Sequence, residues 1–468
     1  MTLQSTGAIS LGNVATELGR AAGTTTSLGE AAVRNLAGVA SGPISMSSLY
    51  GKSNESFWHV SLGTSVFNYR MLGTDSGGNI YACASSVVLK WSRDGALLWA
   101  KTVSGPFFSG GCVDASGNVY LAGGYYSSNY FAYLLKLDTS GTLQWQRSLN
   151  GSAQEYWYNA AVDASGNVYV VGYTNSSGGS GGYDQYIAKY NSVGTLQWQR
   201  SNGGSSDEFS SQIALSSDGS LLVLSGYTLT STSGGYDALI TVISTATPAI
   251  SWQRSIGSTA YDYGYGVAID SANNIYWMTN INGTPSLLKI SSGAVIQWQI
   301  SLPTTYGLDG FVQIDPSGNI WVQSGNSSAG TAAIYKFDGN GTVLLARSVV
   351  LDTTTNFVNS FGFGGLAVTS TFVAFPLYSA MDFSPYGYTD FCGAIAKVPA
   401  DGSKTGTWSI SGNGGNQGVN YAAWSPGIGT TYWSLTYRGF TFATRALTTG
   451  FPAYAAGSGA YTNTTTGI

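Results

Sequence analysis

The residues able to do acid–base, nucleophilic or metal chemistry are few in this chain, and their spacing is unpromising for all three. His59 is the single histidine in 468 residues, so a nucleophile–imidazole relay would have to recruit this one ring. On an expected outer strand, its role reads as structural. Cys83, Cys112 and Cys392 are odd in number and lack metal-ligand spacing, so they read as reduced packing thiols. Paired carboxylates for glycoside hydrolysis would have to come from Glu155, Asp207, Glu208, Asp262, Asp309, Asp352, Asp382 and Asp390, and each reads more simply as a solvated loop charge. Asp114, Asp163, Asp270 and Asp315 recur at one place in a repeat, where turn capping accounts for them. As calcium ligands they lack both the full donor count and a terminal glutamate. The chain therefore reads as a non-enzyme with no catalytic residue, no metal site and no cofactor.

The residues that remain are aromatic. Phe107, Phe108, Tyr125, Tyr126, Tyr130, Tyr156, Trp157, Tyr158, Phe209, Tyr261, Tyr263 and Tyr306 fall in segments of variable length rich in Ser, Gly and Asn, as do Phe357, Phe361, Phe363 and the stretch 378–388. Rigid rings among small polar residues are the composition of adaptable binding loops, and rings also stack on sugars. These segments are the candidate receptor-binding face, with a glycan as a reasonable target.

The elements that must carry them follow from a repeat. Asp-x-Ser-Gly-Asn-[Val/Ile]-[Tyr/Trp], then Lys, then Gly-x-[Leu/Ile]-Gln-Trp-Gln returns at intervals of roughly 45–55 residues, a period that belongs to radial or solenoidal arrays. Its best copies run from Asp114 to Trp145, Asp163 to Trp198 and Asp270 to Trp298. Within Asn159–Ser201, turn residues split the segment into four short apolar runs, here called strands A to D, which is the pattern of a propeller blade. Composition agrees: 64 Gly, 31 Tyr, 13 Trp and only 9% charged residues suit short strands and tight turns, and 43% hydrophobic residues suffice for a core. The fold class predicted is all-β, a closed β-propeller of four-stranded blades. A strands starting near Phe67, Gly111, Asn159, Ser211, Gly266, Phe311, Gly365 and Tyr421 predict eight blades, with seven the alternative. The last copy lacks a D strand, and Phe57–Leu62 is expected to supply it and close the ring. The domains predicted are 1–55, an N-terminal module; 56–450, the propeller; and 451–468, a Gly/Thr-rich tail. The repeat resembles the SBBP β-propeller family, through Asp163–Tyr169, Tyr183-Asp184 with Lys189, and Tyr236-Asp237.

Net charge is −4, which gives no basic footprint for nucleic acid or an anionic membrane surface. No apolar run approaches the roughly 20 residues of a membrane-spanning helix, and no signal-peptide pattern is seen at the N-terminus. Residues 1–55 instead predict three short helices following Ser10, Ser27 and Ser45, and helices this short bury little area alone. Leu11, Val14, Leu18, Leu28, Val33, Leu36 and Leu49 are thus expected to dock on something else. The stretch from Ile9 to Lys52, above all Ser27–Met46 and Tyr50-Gly51-Lys52, resembles the N-terminal segment of tailed-bacteriophage structural proteins. That resemblance implies a virion protein assembled in the host cytoplasm, present in several copies and anchored to other virion proteins. A tail protein attached to a bacterial surface glycan or protein receptor is the expectation; a purely architectural or decorating protein and a glycan depolymerase are the alternatives.

Overall fold

The computed structural model describes, with short gaps in the loops, residues 10–37 and 69–402, together with residue 3, parts of 41–45, and residues 58–61, 406–412, 415–423 and 436–437. Two helices come first, α1 (Leu11–Glu17) and α2 (Ala31–Ala37), and every other named element is a strand. Strand β1 (Trp58–Ser61) precedes the repeats. Blade 1 comprises β2 (Arg70–Thr74), β3 (Ile80–Ala84), β4 (Val87–Trp91) and β5 (Leu97–Thr102). Blade 2 comprises β6 (Phe107–Val113), β7 (Val119–Tyr126), β8 (Tyr130–Leu137) and β9 (Leu143–Leu149). Blade 3 comprises β10 (Glu155–Val162), β11 (Val168–Thr174), β12 (Asp184–Tyr190) and β13 (Leu196–Asn202). Blade 4 comprises β14 (Glu208–Leu215), β15 (Leu221–Thr228), β16 (Asp237–Ser244) and β17 (Ala249–Ile256). Blade 5 comprises β18 (Tyr263–Ile269), β19 (Ile275–Ile281), β20 (Thr284–Ile290) and β21 (Ile296–Ser301). Blade 6 comprises β22 (Asp309–Ile314), β23 (Ile320–Asn326), β24 (Thr331–Phe337) and β25 (Val343–Leu351). In blade 7 the inner strand is split into β26 (Phe357–Val358) and β27 (Ala367–Val368), both paired to β28 (Phe372–Phe383), followed by β29 (Tyr388–Pro399).

The fold is a seven-bladed β-propeller of four-stranded antiparallel blades, and the expectation of eight is corrected to seven. The expected closing strand is present: β1 pairs with β29 from Trp58↔Lys397 to Ser61↔Ala394, so residues preceding the first blade complete the last one. The chain after blade 7 adds strands to the outside of earlier blades instead. The hairpin β30 (Gly406–Gly412) and β31 (Gly415–Ala423) lies along β25 of blade 6, and β32 (Thr436–Tyr437) pairs with β17 of blade 4. An outer strand with unpaired N–H and C=O groups is an edge that a passing segment can cover, which is a sufficient physical reason for an eighth repeat to be spent this way. The sheets are not closed into one hydrogen-bonded cylinder; each blade is its own sheet.

Seven apolar clusters hold the ring, one at each junction between neighbouring blades, including blades 6–7 and 7–1. Middle strands are therefore apolar on both faces: Ile80–Ala84 and Val168–Gly172 are buried at every position. The recurring letters of the repeat serve this packing. Asp114 Oδ1 accepts from the Ser116 and Asn118 N–H groups, while Oδ2 accepts from Asn118 Nδ2 (2.7 Å) and the Tyr120 hydroxyl (3.2 Å). Gly117 turns this corner at φ 87°. Lys136 lies 5.2 Å from the Tyr120 ring centroid, and the same Lys-over-Tyr contact recurs at Lys90, Lys189 and Lys289. Strand-D tryptophans then reach the neighbouring blade: Trp99, Trp145, Trp252 and Trp298 donate their indole N–H to Thr139 O, Ser192 O, Ser292 O and Gly339 O, at 2.8–3.3 Å. In blade 6, Leu345 occupies the tryptophan position and Arg347 Nη2 reaches Gly402 O instead (2.7 Å). Lys397 Nζ donates to Arg93 O at 2.9 Å and links blade 7 to blade 1.

In the N-terminal module, Ser10 caps α1 through a capping box with Asn13. Val14, Val33, Leu36, Ala37 and Leu3 are buried together, with Leu18 and Leu28 packed against them. The third expected helix lies outside the described residues.

Since both oxygens of Asp114 are engaged by protein donors, replacing it with alanine should cost about 2–3 kcal/mol, two or three charge-assisted bonds net. Chemical denaturation of Asp114→Ala measures this, and neither calcium nor a chelator should move the wild-type midpoint if the turn is a cap and not a cation loop.

Candidate functional site: an aromatic arc at the mouth of the axial channel

The first strands of blades 1–5 each carry a β-bulge near their start. The register slips between Met71 and Gly73, Phe108 and Gly110, Trp157 and Asn159, Ser210 and Gln212, and Gly264 and Val267. A bulge inserts one residue, bends the strand and re-aims side chains. Here it sits toward the end where the D–A and B–C connections meet, and alternate residues ahead of it, Tyr156, Phe209 and Tyr263 among them, lie on that side. Gly172 and Gly226 on the partner strands lie opposite, where an added Cβ would fall 1.7–1.8 Å from Tyr156 O and Phe209 O.

The outcome is a continuous run of ring contacts across four blades. Tyr126 meets Tyr130 (5.0 Å between centroids), Tyr130 meets Tyr156 (6.1 Å), and Tyr156 meets Tyr158 and Tyr173 (5.2 and 5.9 Å). Tyr173 then touches Tyr183 and Phe209, Phe209 touches Tyr227, and Tyr227 touches Tyr236 and Tyr263. Tyr261 and Tyr265 end the run. Burial pushes the Tyr158 phenol up to about 12, with Tyr156 adding to it, and pushes Tyr173 and Tyr227 upward as well. Tyr158, Tyr173 and Tyr227 thus stay neutral through neutral pH, and the run presents ring faces with hydroxyl tips.

Of the residues expected on this face, Phe107, Tyr126, Tyr130 and Tyr261 are exposed, and Tyr125, Tyr156, Tyr158 and Tyr263 are half-buried. Two are corrections. Trp157 is wholly buried and stacks on Tyr186 at 4.9 Å in the core between blades 2 and 3. Phe108 is buried in the core between blades 1 and 2. Alternation along the strand explains both, because each follows an outward ring by one residue. Tyr306 lies outside the described residues, as does Leu49 of the docking set. Of the other docking residues, Leu11 is 40% exposed, whereas Val14, Leu18, Leu28, Val33 and Leu36 face one another. Tyr173 and Tyr227 were missed as site residues. The repeated Gly-Tyr-Thr at 172–174 and 226–228 was the signal that could have found them.

Below the arc lies an axial cavity of about 430 Å³, lined by the first strands of all seven blades. Asn159 spans two junctions there, accepting from Gly111 N–H (3.0 Å) and donating to Gln212 Oε1 (3.1 Å). Arg70 is the one charged residue among the described residues of the lining.

The loop carboxylates are not solvated as expected. Glu155, Glu208 and Asp262 are fully buried. Glu155 and Glu208 accept from the Thr174 and Thr228 hydroxyls, Glu208 also accepts from Gly204 N–H (2.6 Å), and Asp262 accepts from Asn282 N–H (2.6 Å). They lock loops to strand ends. Burial, reinforced by Asp184 and Asp207 nearby, pushes the Glu208 carboxyl from 4.5 up to about 7 against the pull of its hydrogen bonds. Asp309 has its strand position in β22 described, but Asp352 lies outside the described residues. His59 pairs with Ala396 on the outermost strand of blade 7. Cys83 and Cys112 carry free thiols, and burial pushes the Cys83 thiol up to about 12. Among the described residues there is no group of three or more His, Cys, Asp or Glu placed to hold a metal, and no helix long and apolar enough to cross a membrane.

These features define a seven-bladed propeller with a continuous run of aromatic rings across blades 2–5. No known family pattern matches the chain, and no curated protein matches it. Among solved structures, a protein of unknown function from Bacteroides caccae aligns over 54% of this chain and 97% of its own, at 13% identity and a TM-score of 0.36, a likeness too slight to argue from.

Glu208 gives a pH test. Below about pH 4.5 its carboxyl is neutral in both folded and unfolded chains. As pH rises toward 7 the unfolded chain releases the proton first, so the fold loses stability across that window and keeps the full penalty above it. Glu208→Gln should flatten this loss, gaining about 1–2 kcal/mol on wild type between pH 5 and pH 8 in denaturant titrations, a value discounted for partial solvation.

Proposed function

We propose that this chain is a structural component of a tailed-phage virion, tail-associated, anchored through its N-terminal segment and using the propeller's aromatic end to attach to a host-surface glycan or protein receptor. The observation that carries the reading is the unbroken arc from Tyr126 to Tyr261, which leaves large rings accessible on a rigid ring of blades. Isolated exposed rings need no explanation, but a contiguous apolar surface with a polar rim marks an interaction site. Tyrosine brings contact area at little entropic cost. The N-terminal resemblance supplies the virion half of the proposal. The buried, loop-locking carboxylates favour attachment over glycan cleavage, since a general acid must reach its substrate.

The test is binding of the full chain to bacterial cells and to a glycan array, against Tyr156→Ala and Tyr263→Ala. Trp157 is left intact because emptying its core site would cost about 3–5 kcal/mol of stability. Loss of binding by about tenfold or more in folded variants supports the reading, a loss of about 1.4 kcal/mol. Absence of binding to any cell or glycan would overturn it in favour of an architectural or decorating protein, and release of oligosaccharide would favour a depolymerase.

A further inference from the structure

Along the inner strands, the residue before the last pair ahead of the bulge is Phe107 in blade 2, Tyr156 in blade 3, Phe209 in blade 4 and Tyr263 in blade 5. In blade 1 the same place is held by Arg70, paired with Cys83. An aromatic position has been given to a permanent cation. Arg70 lines the axial cavity, is half-buried rather than sealed, and among the described residues forms no ion pair. Its electrostatic neighbours are Cys83, Tyr156 and Tyr158, which are neutral at ordinary pH. Burial pulls its guanidinium downward from the usual value, as desolvation does to a cation.

Resting on the attachment reading above, we propose that Arg70 makes this mouth selective for a carboxylate-bearing sugar, a uronic or similar acidic residue of a surface polysaccharide. A guanidinium is a planar fork that meets a carboxylate through two parallel hydrogen bonds, and it does so best where water is partly excluded. Tyr156 and Tyr158 stand beside it to take the face of the sugar ring, and the Asn159–Gln212 pair offers polar groups deeper in the cavity. The volume of about 430 Å³ lies within the range of small-molecule sites. The arc accounts for affinity to saccharides in general, and the lone cation accounts for choice among them.

The experiment uses the full chain and a panel of purified bacterial polysaccharides: uronate-containing, each beside its carboxyl-reduced form in which uronates have become neutral hexoses, and phosphate-containing. Wild type should bind at least one uronate polymer, and carboxyl reduction should weaken that binding about tenfold or more, the scale of one charge-assisted contact. Arg70→Met should lose the same amount while Arg70→Lys recovers part of it, with melting temperatures confirming that both variants fold. Equal binding of native and carboxyl-reduced polymers, unchanged binding by Arg70→Met, preference for the phosphate polymers, or no uronate polymer bound would each overturn the assignment. If neutral polymers or cells still bind and Tyr156→Ala abolishes that, attachment stands and only the acidic-sugar assignment fails; if nothing binds, both fail.

Discussion

The structure depends on a hand-over from each blade to the next. A sheet that must bury both faces can join its neighbours only through side chains, and apolar contact alone does not fix how far one blade slides along another. The polar link does. At most junctions an indole N–H, a strand-C lysine or a strand-D arginine donates to a turn carbonyl of the following blade. Such a bond is directional and, beside a buried ring, partly shielded from water. It therefore sets blade angle as well as adding stability. The turn that receives it is held in shape by its own Asp, Asn or Ser, as Asp138 holds Ser140 and Thr142. Sequence repetition here records a repeated junction as much as a repeated strand.

This logic explains what could be read from the chain alone. The Asp-x-Ser-Gly-Asn, Lys and Trp letters are local and obligatory, so blades 2, 3 and 5 are legible from their residues. Blade 6 is legible without its tryptophan because the Asp315–Trp321 turn letters persist, and Arg347 keeps a link to the chain beyond blade 7. Blade number was less legible, since Gly406–Gly412 and the stretch beyond it have strand-like patterning whether they form a blade or cover an edge, and only tertiary pairing decides. Trp157 and Phe108 lie inside because each follows an outward ring by one residue on a strand, and adjacent aromatics read as a loop do not show that alternation. The loop acids failed differently: a carboxylate in a Gly/Ser segment looks solvated until Thr174 or Thr228 is seen to fold over it.

The two ends of the propeller divide the work. At one end the turns are short and capped by their own Asp or Asn side chains, leaving little to vary. At the other, bulges and facing glycines bring tyrosines together around the axis, with the buried acids holding the connections beneath them. Rings packed edge to face in this way have few rotamers left to lose on binding. The arc runs through blades 2–5, and the cation stands at its open end in blade 1.

The seam between β1 and β29 has a consequence for how the molecule is made. Trp58 meets Lys397 across nearly the whole ring, so among the described residues this strand pairing has the greatest sequence separation, and the loop it closes is correspondingly slow to form. On the ribosome, blades 1–6 emerge and can pack in order while β1 waits with an open edge. The last blade has no outer strand of its own to use in the meantime. The seventh blade can be completed only once β29 is made, and a nascent chain halted before residue 394 would leave β1 without the strand it pairs with.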